Sequence, residues 1–94
     1  MIFEYDAEKS QTNKVKHGID FEQAKLLWND PYLIELQSKQ TKNENRFLLL
    51  GKIKHKYYTA IITYREVNIR IISVRSSRKS EVKFYESNRF RQEV

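Results

Sequence analysis

The sequence of 94 residues contains no cysteine, one proline and two glycines. Without cysteine, the chain has no disulfide framework, no thiolate nucleophile and no zinc site with cysteine ligands. Two glycines cannot build a phosphate-binding P-loop or a dinucleotide fingerprint, because both need several closely spaced glycines. So little proline and glycine also leaves no material for a flexible linker. We therefore predict one domain over residues 1–94.

Long apolar runs are missing as well. The longest, residues 47–50, has the length of a strand, far short of the ~18 residues of a membrane span. The sequence does not open with a basic segment followed by an apolar one, as a signal peptide does. We expect a cytoplasmic protein with no membrane partner. Its two histidines are far apart and its carboxylates are not grouped, so neither a metal nor another cofactor is predicted.

Positive charge is abundant but unevenly placed. The formal net charge is +6, made up of −3 on residues 1–35 and +9 on residues 36–94. A strongly basic half indicates a surface for a polyanion, most often nucleic acid. The alternative is a solvated surface whose charge only maintains solubility.

The apolar pattern predicts an α+β domain with the element order β-α-α-β-β-β-β-α. Asp6 can cap a first helix over Ala7–His17 that ends at Gly18, and Asp20 can cap a second helix that ends before Pro31. Short turns separate three consecutive strands, which should pair as an antiparallel meander. We therefore expect an antiparallel sheet covered by the helices. The predicted strands cover 2–5, 32–36, 46–53, 57–65 and 69–75, with a polar loop at 37–45 and a last helix at about 78–88.

Arginines fall on or beside these strands. The planar guanidinium binds phosphate oxygens in pairs and stays charged at any relevant pH. Arg70 and Arg75 are five residues apart, so a regular strand places them on opposite faces. They share a face only if a bulge lies between them or if Arg75 lies past the strand end.

Such a set of side chains suits the metal-free cleavage of RNA by its own 2′-hydroxyl. That reaction needs a base, an acid and cations around the phosphorus. The available proton carriers are His17, Glu44, Glu81 and Tyr85. Each has a structural alternative, since His17 can simply end its helix, and Tyr85 can be a docked ring.

Three groups of residues resemble the BrnT family of type II toxin–antitoxin systems. The resemblance extends over about residues 3–85, and its first and last groups are specific at this separation. The matching residues are Phe3-Glu4-Tyr5-Asp6, Lys9, Asn13, Lys16-His17-Gly18-Ile19, Phe21-Glu22 and Ala24; then Glu44, Arg46-Phe47 and Gly51-Lys52; then Thr63, Arg65, Ile69-Arg70-Ile71-Ile72-Ser73, Arg75, Glu81 and Tyr85.

The resemblance implies a RelE-like fold and a ribonuclease that arrests translation by cutting RNA without a metal. It also implies neutralisation by a BrnA-like antitoxin of the ribbon-helix-helix type and, through that antitoxin, contact with operator DNA. The chain departs from the family's common pattern at Ile62, where many members have tyrosine, and at the turn 66–68, which lacks glycine.

The resemblance also implies roles for individual residues. We assign Arg65, Arg70 and Arg75 to phosphate binding and charge stabilisation, and His17, Glu44 and Tyr85 to proton transfer. Lys16 and Arg46 are assigned to RNA binding. Lys52 and Arg78 are added to this group because they are basic and lie on or beside the predicted strands, not because of the resemblance. Two other functions remain open: a module that binds nucleic acid without cutting it, and a scaffold whose basic face docks an acidic protein.

Overall fold

A computed structural model describes residues 1–38 and 44–93 of the chain. It has the predicted α+β class, with two helices in the N-terminal part and one in the C-terminal part. Residues 39–43 of the predicted polar loop lie outside the described residues. The elements are β1 (Ile2–Glu4), α1 (Ala7–His17), α2 (Phe21–Ala24) with a 3₁₀ helix (Lys25–Asn29), β2 (Ile34–Gln37), β3 (Arg46–Ile53), β4 (Lys56–Arg65), β5 (Asn68–Ser76) and α3 (Lys79–Glu93).

The caps of the first helix agree with the prediction. The Asp6 carboxylate accepts hydrogen bonds from the backbone amides of Glu8 and Lys9, and Gly18 ends the helix with a φ of 75°. The predicted second helix is only partly α-helical. Its α-helical turn ends at Ala24, and the chain tightens into a 3₁₀ helix up to Asn29, as helices often do near their C-termini.

The sheet is mixed, which corrects the prediction of a purely antiparallel sheet. Its strand order is β1-β5-β4-β3-β2. Strands β3 to β5 form the predicted antiparallel meander, and β2 extends it by pairing antiparallel with β3. Strand β1 instead runs parallel to β5, with Phe3 beside Ile69. Two helical elements lie between β1 and the meander, so the direction of β1 is not set by a hairpin turn.

A bulge in β5 decides which side chains share a face. Ile61 pairs with Ser73, but the next residue, Ile62, pairs with Ile71, so β5 has one extra residue there. The strand alternation is therefore shifted between Arg70 and Arg75. Both arginines consequently lie on the same face of the sheet, which the five-residue spacing alone left open.

The two faces of the sheet differ in what covers them. The first face, which contains Ala60, Ile62 and Ile71, packs against the buried Phe21 and Leu27 of the N-terminal helices. A Cβ on Gly51 in this face would lie 2.8 Å from Leu27 Cδ2, so glycine permits the close approach.

The second face contains Thr59, Thr63, Arg70 and Arg75. Helix α3 crosses one end of this face, where Thr59 donates a hydrogen bond to Glu81. No helix within the described parts of the chain is long and apolar enough to cross a membrane.

Candidate functional site

Three arginines meet on the second face, at the end of the sheet away from α3. Arg46 lies opposite Thr63, and Thr63 lies opposite Arg70. Neighbouring strands are ~4.8 Å apart, so Arg46, Thr63 and Arg70 form a row across the sheet. Arg65 is two residues beyond Thr63 and points to the same side. We call Arg46, Arg65 and Arg70 the arginine cluster.

Two carboxylates lie within the arginine cluster. Glu4 Oε1 is 3.4 Å from Arg70 Nη1 and 3.9 Å from Arg65 Nε. Glu44 Oε1 accepts a hydrogen bond from Arg46 Nε at 3.0 Å. Three guanidinium groups therefore face two carboxylates, and the cluster keeps a net positive charge.

The place of Glu4 was not foreseen in the sequence. Glu4 reaches Arg70 because β1 pairs in parallel with β5, which places these two residues side by side. Its Oε2 also accepts a hydrogen bond from Asn68 Nδ2 at 3.2 Å. A parallel pairing between the two ends of the fold has no local signal in the sequence, so no pattern could have identified this contact.

The arginine cluster is open to solvent. The Arg65 side chain is 57% exposed and that of Arg70 is 28% exposed. Each guanidinium carries five N–H donors, and the contacts of these two groups with Glu4 are long. Donors therefore remain available to an incoming phosphate group.

Arg75 belongs to a second group of charges, around the start of α3. Its Nη1 and Nη2 donate to the two oxygens of Glu81 at 2.7 and 2.9 Å. Glu81 Oε1 also accepts from Thr59 Oγ1 and from the backbone amide of Arg78. The Arg75 guanidinium, followed by the amide and hydroxyl donors, lowers the pKa of Glu81 to about 2.

This ion pair distinguishes Arg75 from the cluster. Arg75 lies opposite Thr59, four residues along β4 from Thr63, or ~13 Å from the row of Arg70 at 3.3 Å per residue. A bidentate pair that joins β5 to the start of α3 is a structural link. Arg78 itself is exposed and immediately precedes α3.

Tyr85 and Lys52 lie on the side of the second face that α3 covers. Tyr85 is only 3% exposed, and its hydroxyl donates to Asp30 Oδ2 at 2.7 Å. Burial and the Asp30 carboxylate both raise the pKa of Tyr85. The Lys52 ammonium lies 4.9 Å from the ring centre of Tyr57. In this arrangement Tyr85 presents almost no surface to an RNA chain.

Lys16 and His17 are exposed in the last turn of α1. Because α1 packs on the first face, neither residue lies beside the arginine cluster. Of the sequence-predicted residues, the structure brings together Glu44, Arg46, Arg65 and Arg70. Across residues 1–38 and 44–93, no three His, Asp or Glu side chains are grouped as metal ligands would be.

A basic cluster on an open sheet face is typical of proteins that bind polyanions such as RNA. A comparison with protein families matches residues 5–81 to the ribonuclease toxin BrnT of type II toxin–antitoxin systems. The chain therefore belongs to the BrnT family of ribonuclease toxins. A search of curated proteins found no match. Membership of a type II system implies an RNA substrate and an antitoxin protein as partner.

Proposed function

We propose that the protein cuts RNA without a metal, and that the arginine cluster holds the phosphate that is attacked. The 2′-hydroxyl oxygen attacks the adjacent phosphorus, and the bond from phosphorus to the 5′-oxygen breaks. The products are a 2′,3′-cyclic phosphate and a 5′-hydroxyl. The observation that carries this proposal is the group of three solvent-accessible arginines on one face of the sheet.

The charge that develops on the phosphate oxygens in the transition state is met by Arg65 and Arg70. Both guanidinium groups already lie on one side of the sheet, 3.9 and 3.4 Å from Glu4, so the positive charge is in place before the reaction. Arg46 binds the neighbouring RNA backbone. A fold of the RelE-like type is part of the same proposal.

Among the residues assigned to proton transfer, Glu44 alone is beside the arginine cluster, through its contact with Arg46. A carboxylate can take the 2′-hydroxyl proton while the 5′-oxygen takes a proton from water. Tyr85 and His17 have no part in this scheme, because Tyr85 is buried under α3 and His17 is on the first-face side.

The test is cleavage of a single-stranded RNA by the purified protein in EDTA. We expect cleavage by the wild type and a loss of ~10²–10³ in rate for Arg70→Ala, the size of one lost electrostatic contact. Arg91→Ala, which removes an exposed arginine of α3, is the matched control and should stay within about threefold. Thermal melting of all three proteins shows whether the fold is preserved.

Two outcomes would contradict the proposal. If Arg70→Ala cleaves RNA as fast as the wild type, the arginine cluster does not hold the attacked phosphate. Salt-dependent RNA binding by the wild type with no cleavage would instead indicate a module that binds nucleic acid without cutting it.

We also propose that the antitoxin is BrnA-like, of the ribbon-helix-helix type, and that it links the complex to operator DNA. It would silence the toxin in the cytoplasm by covering the arginine cluster. Protection of Arg70 from chemical modification in the complex, with Arg91 still reactive, is the expected result. Equal reactivity of Arg70 in the free and bound toxin would exclude this mode of inhibition.

A further inference from the structure

A cavity of about 450 Å³ lies where β3 begins and β4 ends, next to the arginine cluster. Its volume falls within the ~300–1,000 Å³ of small-ligand pockets. Two aromatic rings from the first face and polar groups from the second face meet in it. The lining residues are Glu44, Asn45, Phe47, Thr63, Tyr64 and Arg65, and we call this the aromatic cavity.

The aromatic rings of the cavity are held in place. The rings of Phe47 and Tyr64 are 5.3 Å apart in an edge-to-face arrangement. The Tyr64 hydroxyl donates a hydrogen bond to the Glu35 carboxylate, which anchors the far end of the ring. Tyr64 nevertheless remains 45% exposed. A flat ring that is both fixed and exposed can stack on another ring with little loss of side-chain entropy.

Other lining residues connect the aromatic cavity to the phosphate site. Arg65 lines the cavity and also faces Glu4, which faces Arg70. Thr63 is pinned by the hydrogen bond from its hydroxyl to the Asn45 carbonyl at 2.7 Å. Two residues of the proposed phosphate site, Glu44 and Arg65, are therefore also part of the cavity lining.

We infer that the aromatic cavity binds an unstacked nucleobase next to the cleaved phosphate, with the base stacked on Tyr64. This inference rests on the proposed function. Proteins read single-stranded RNA by stacking splayed bases on aromatic rings and arginine planes, and both kinds of group line this cavity. Tyr64 then supplies the stacking part of base binding at the cut, with a modest preference for bases that stack strongly.

Two variants separate the ring from its hydroxyl. Tyr64→Leu removes the flat ring but keeps apolar bulk against Phe47. Tyr64→Phe keeps the ring and loses only the hydrogen bond to Glu35, so it serves as the matched control. The probe is a short RNA with a 2′-deoxy sugar at the cleaved nucleotide, which can be bound but not cut. A second set of probes lacks the base at one nucleotide on either side of that bond.

For the complete RNA we expect Tyr64→Leu to weaken binding roughly 5- to 150-fold, the range for one stacked base. Tyr64→Phe should bind within about twofold of the wild type. Removing the base at one of the two positions should weaken binding to the wild type to a similar extent. Tyr64→Leu should then lose little more on that probe, because the ring and the base contribute to the same contact.

On cleavable RNA, the same variant should raise KM and leave kcat nearly unchanged, the signature of lost ground-state binding. It should also alter the bases found at the cut sites. A Tyr64→Leu protein that unfolds would lose all binding, whereas Tyr64→Phe with the base-deleted probes still measures the role of the base.

The inference is overturned if Tyr64→Leu weakens binding of complete and base-deleted probes by the same factor. It is also overturned if Tyr64→Leu leaves RNA binding intact and weakens only the complex with the antitoxin. A wild type that shows the Tyr64-dependent coupling to one base but cuts no RNA would refute the proposed function and leave the base-binding cavity standing.

Discussion

The ion pair between Arg75 and Glu81 can be tested by replacing one carboxylate oxygen with an amide. Glu81→Gln keeps the size of the side chain but removes its charge. The native carboxylate accepts hydrogen bonds from both Arg75 nitrogens, from Thr59 and from the Arg78 amide. The amide cannot accept all of these, because one of its two polar atoms is itself a donor. We therefore expect Glu81→Gln to destabilise the fold.

The magnitude follows from the pKa of Glu81. It falls from an ordinary 4.5 to about 2, chiefly because of the Arg75 guanidinium. At ~1.4 kcal/mol per pKa unit, the ionised carboxylate contributes about 3 kcal/mol to stability. The side chain is only 13% exposed, so solvent screens the pair weakly. For a domain of this size, such a loss lowers the melting temperature by roughly 10–20 °C.

The assay is urea unfolding followed by circular dichroism, between pH 7 and pH 2. Because the folded-state pKa of Glu81 is lowered, its contribution is complete above pH 4.5 and disappears as the pH falls towards about 2. The wild type should therefore lose about 3 kcal/mol more than Glu81→Gln over that interval. Glu66→Gln, in the exposed turn between β4 and β5, is the control and should change stability by less than ~0.5 kcal/mol.

A small effect would refute this reasoning. If Glu81→Gln costs less than ~1 kcal/mol at pH 7, the ion pair does not hold α3 on the sheet. If the two proteins lose the same stability between pH 4.5 and pH 2, Glu81 does not titrate as its contacts require.

Two further predictions concern other contacts of the second face. Tyr85→Phe removes the hydroxyl that donates to Asp30 and should lower the free energy of unfolding by about 1–3 kcal/mol in thermal or urea unfolding. Because the ring is buried, the rate of RNA cleavage should stay within about twofold. A loss of several hundredfold in rate would return Tyr85 to the catalytic site. Glu4→Gln removes one negative charge beside two arginines. RNA affinity should rise about threefold at low salt, which is the effect of removing one unit charge at ~6 Å in water. Fluorescence anisotropy titrations should show that this gain decreases at higher salt. Weaker RNA binding would mean instead that Glu4 is needed to position the arginines.

Much of the fold could be predicted because its signals are local. Asp6 and Gly18 delimit α1 through hydrogen bonds and backbone conformation that depend on adjacent residues. The meander was predictable for the same reason, since short turns leave neighbouring strands little choice but to pair. The 3₁₀ segment after Ala24 was missed, because the spacing of apolar residues does not distinguish it from the end of an α-helix.

The site depends on pairings that lie far apart in the chain. That Arg70 and Arg75 share a face follows from one extra residue opposite Ile61 and Ile62, a bulge with no glycine or proline to mark it. The contact of Glu4 with Arg70 depends on β1 joining β5. The sequence resemblance assigns Tyr85 to proton transfer. Only the structure, in which Tyr85 is buried and donates a hydrogen bond to Asp30, indicates a structural role.

The parallel pairing of β1 with β5 also bears on how the toxin is made. Glu4 can make its contact with Arg70 only after the ribosome has added the 66 residues that follow it. Contacts of such long sequence separation form late in folding. A chain whose synthesis has not reached Arg70 lacks the completed arginine cluster. On the proposed function, RNA cleavage therefore requires that β5 has been synthesised and has paired with β1.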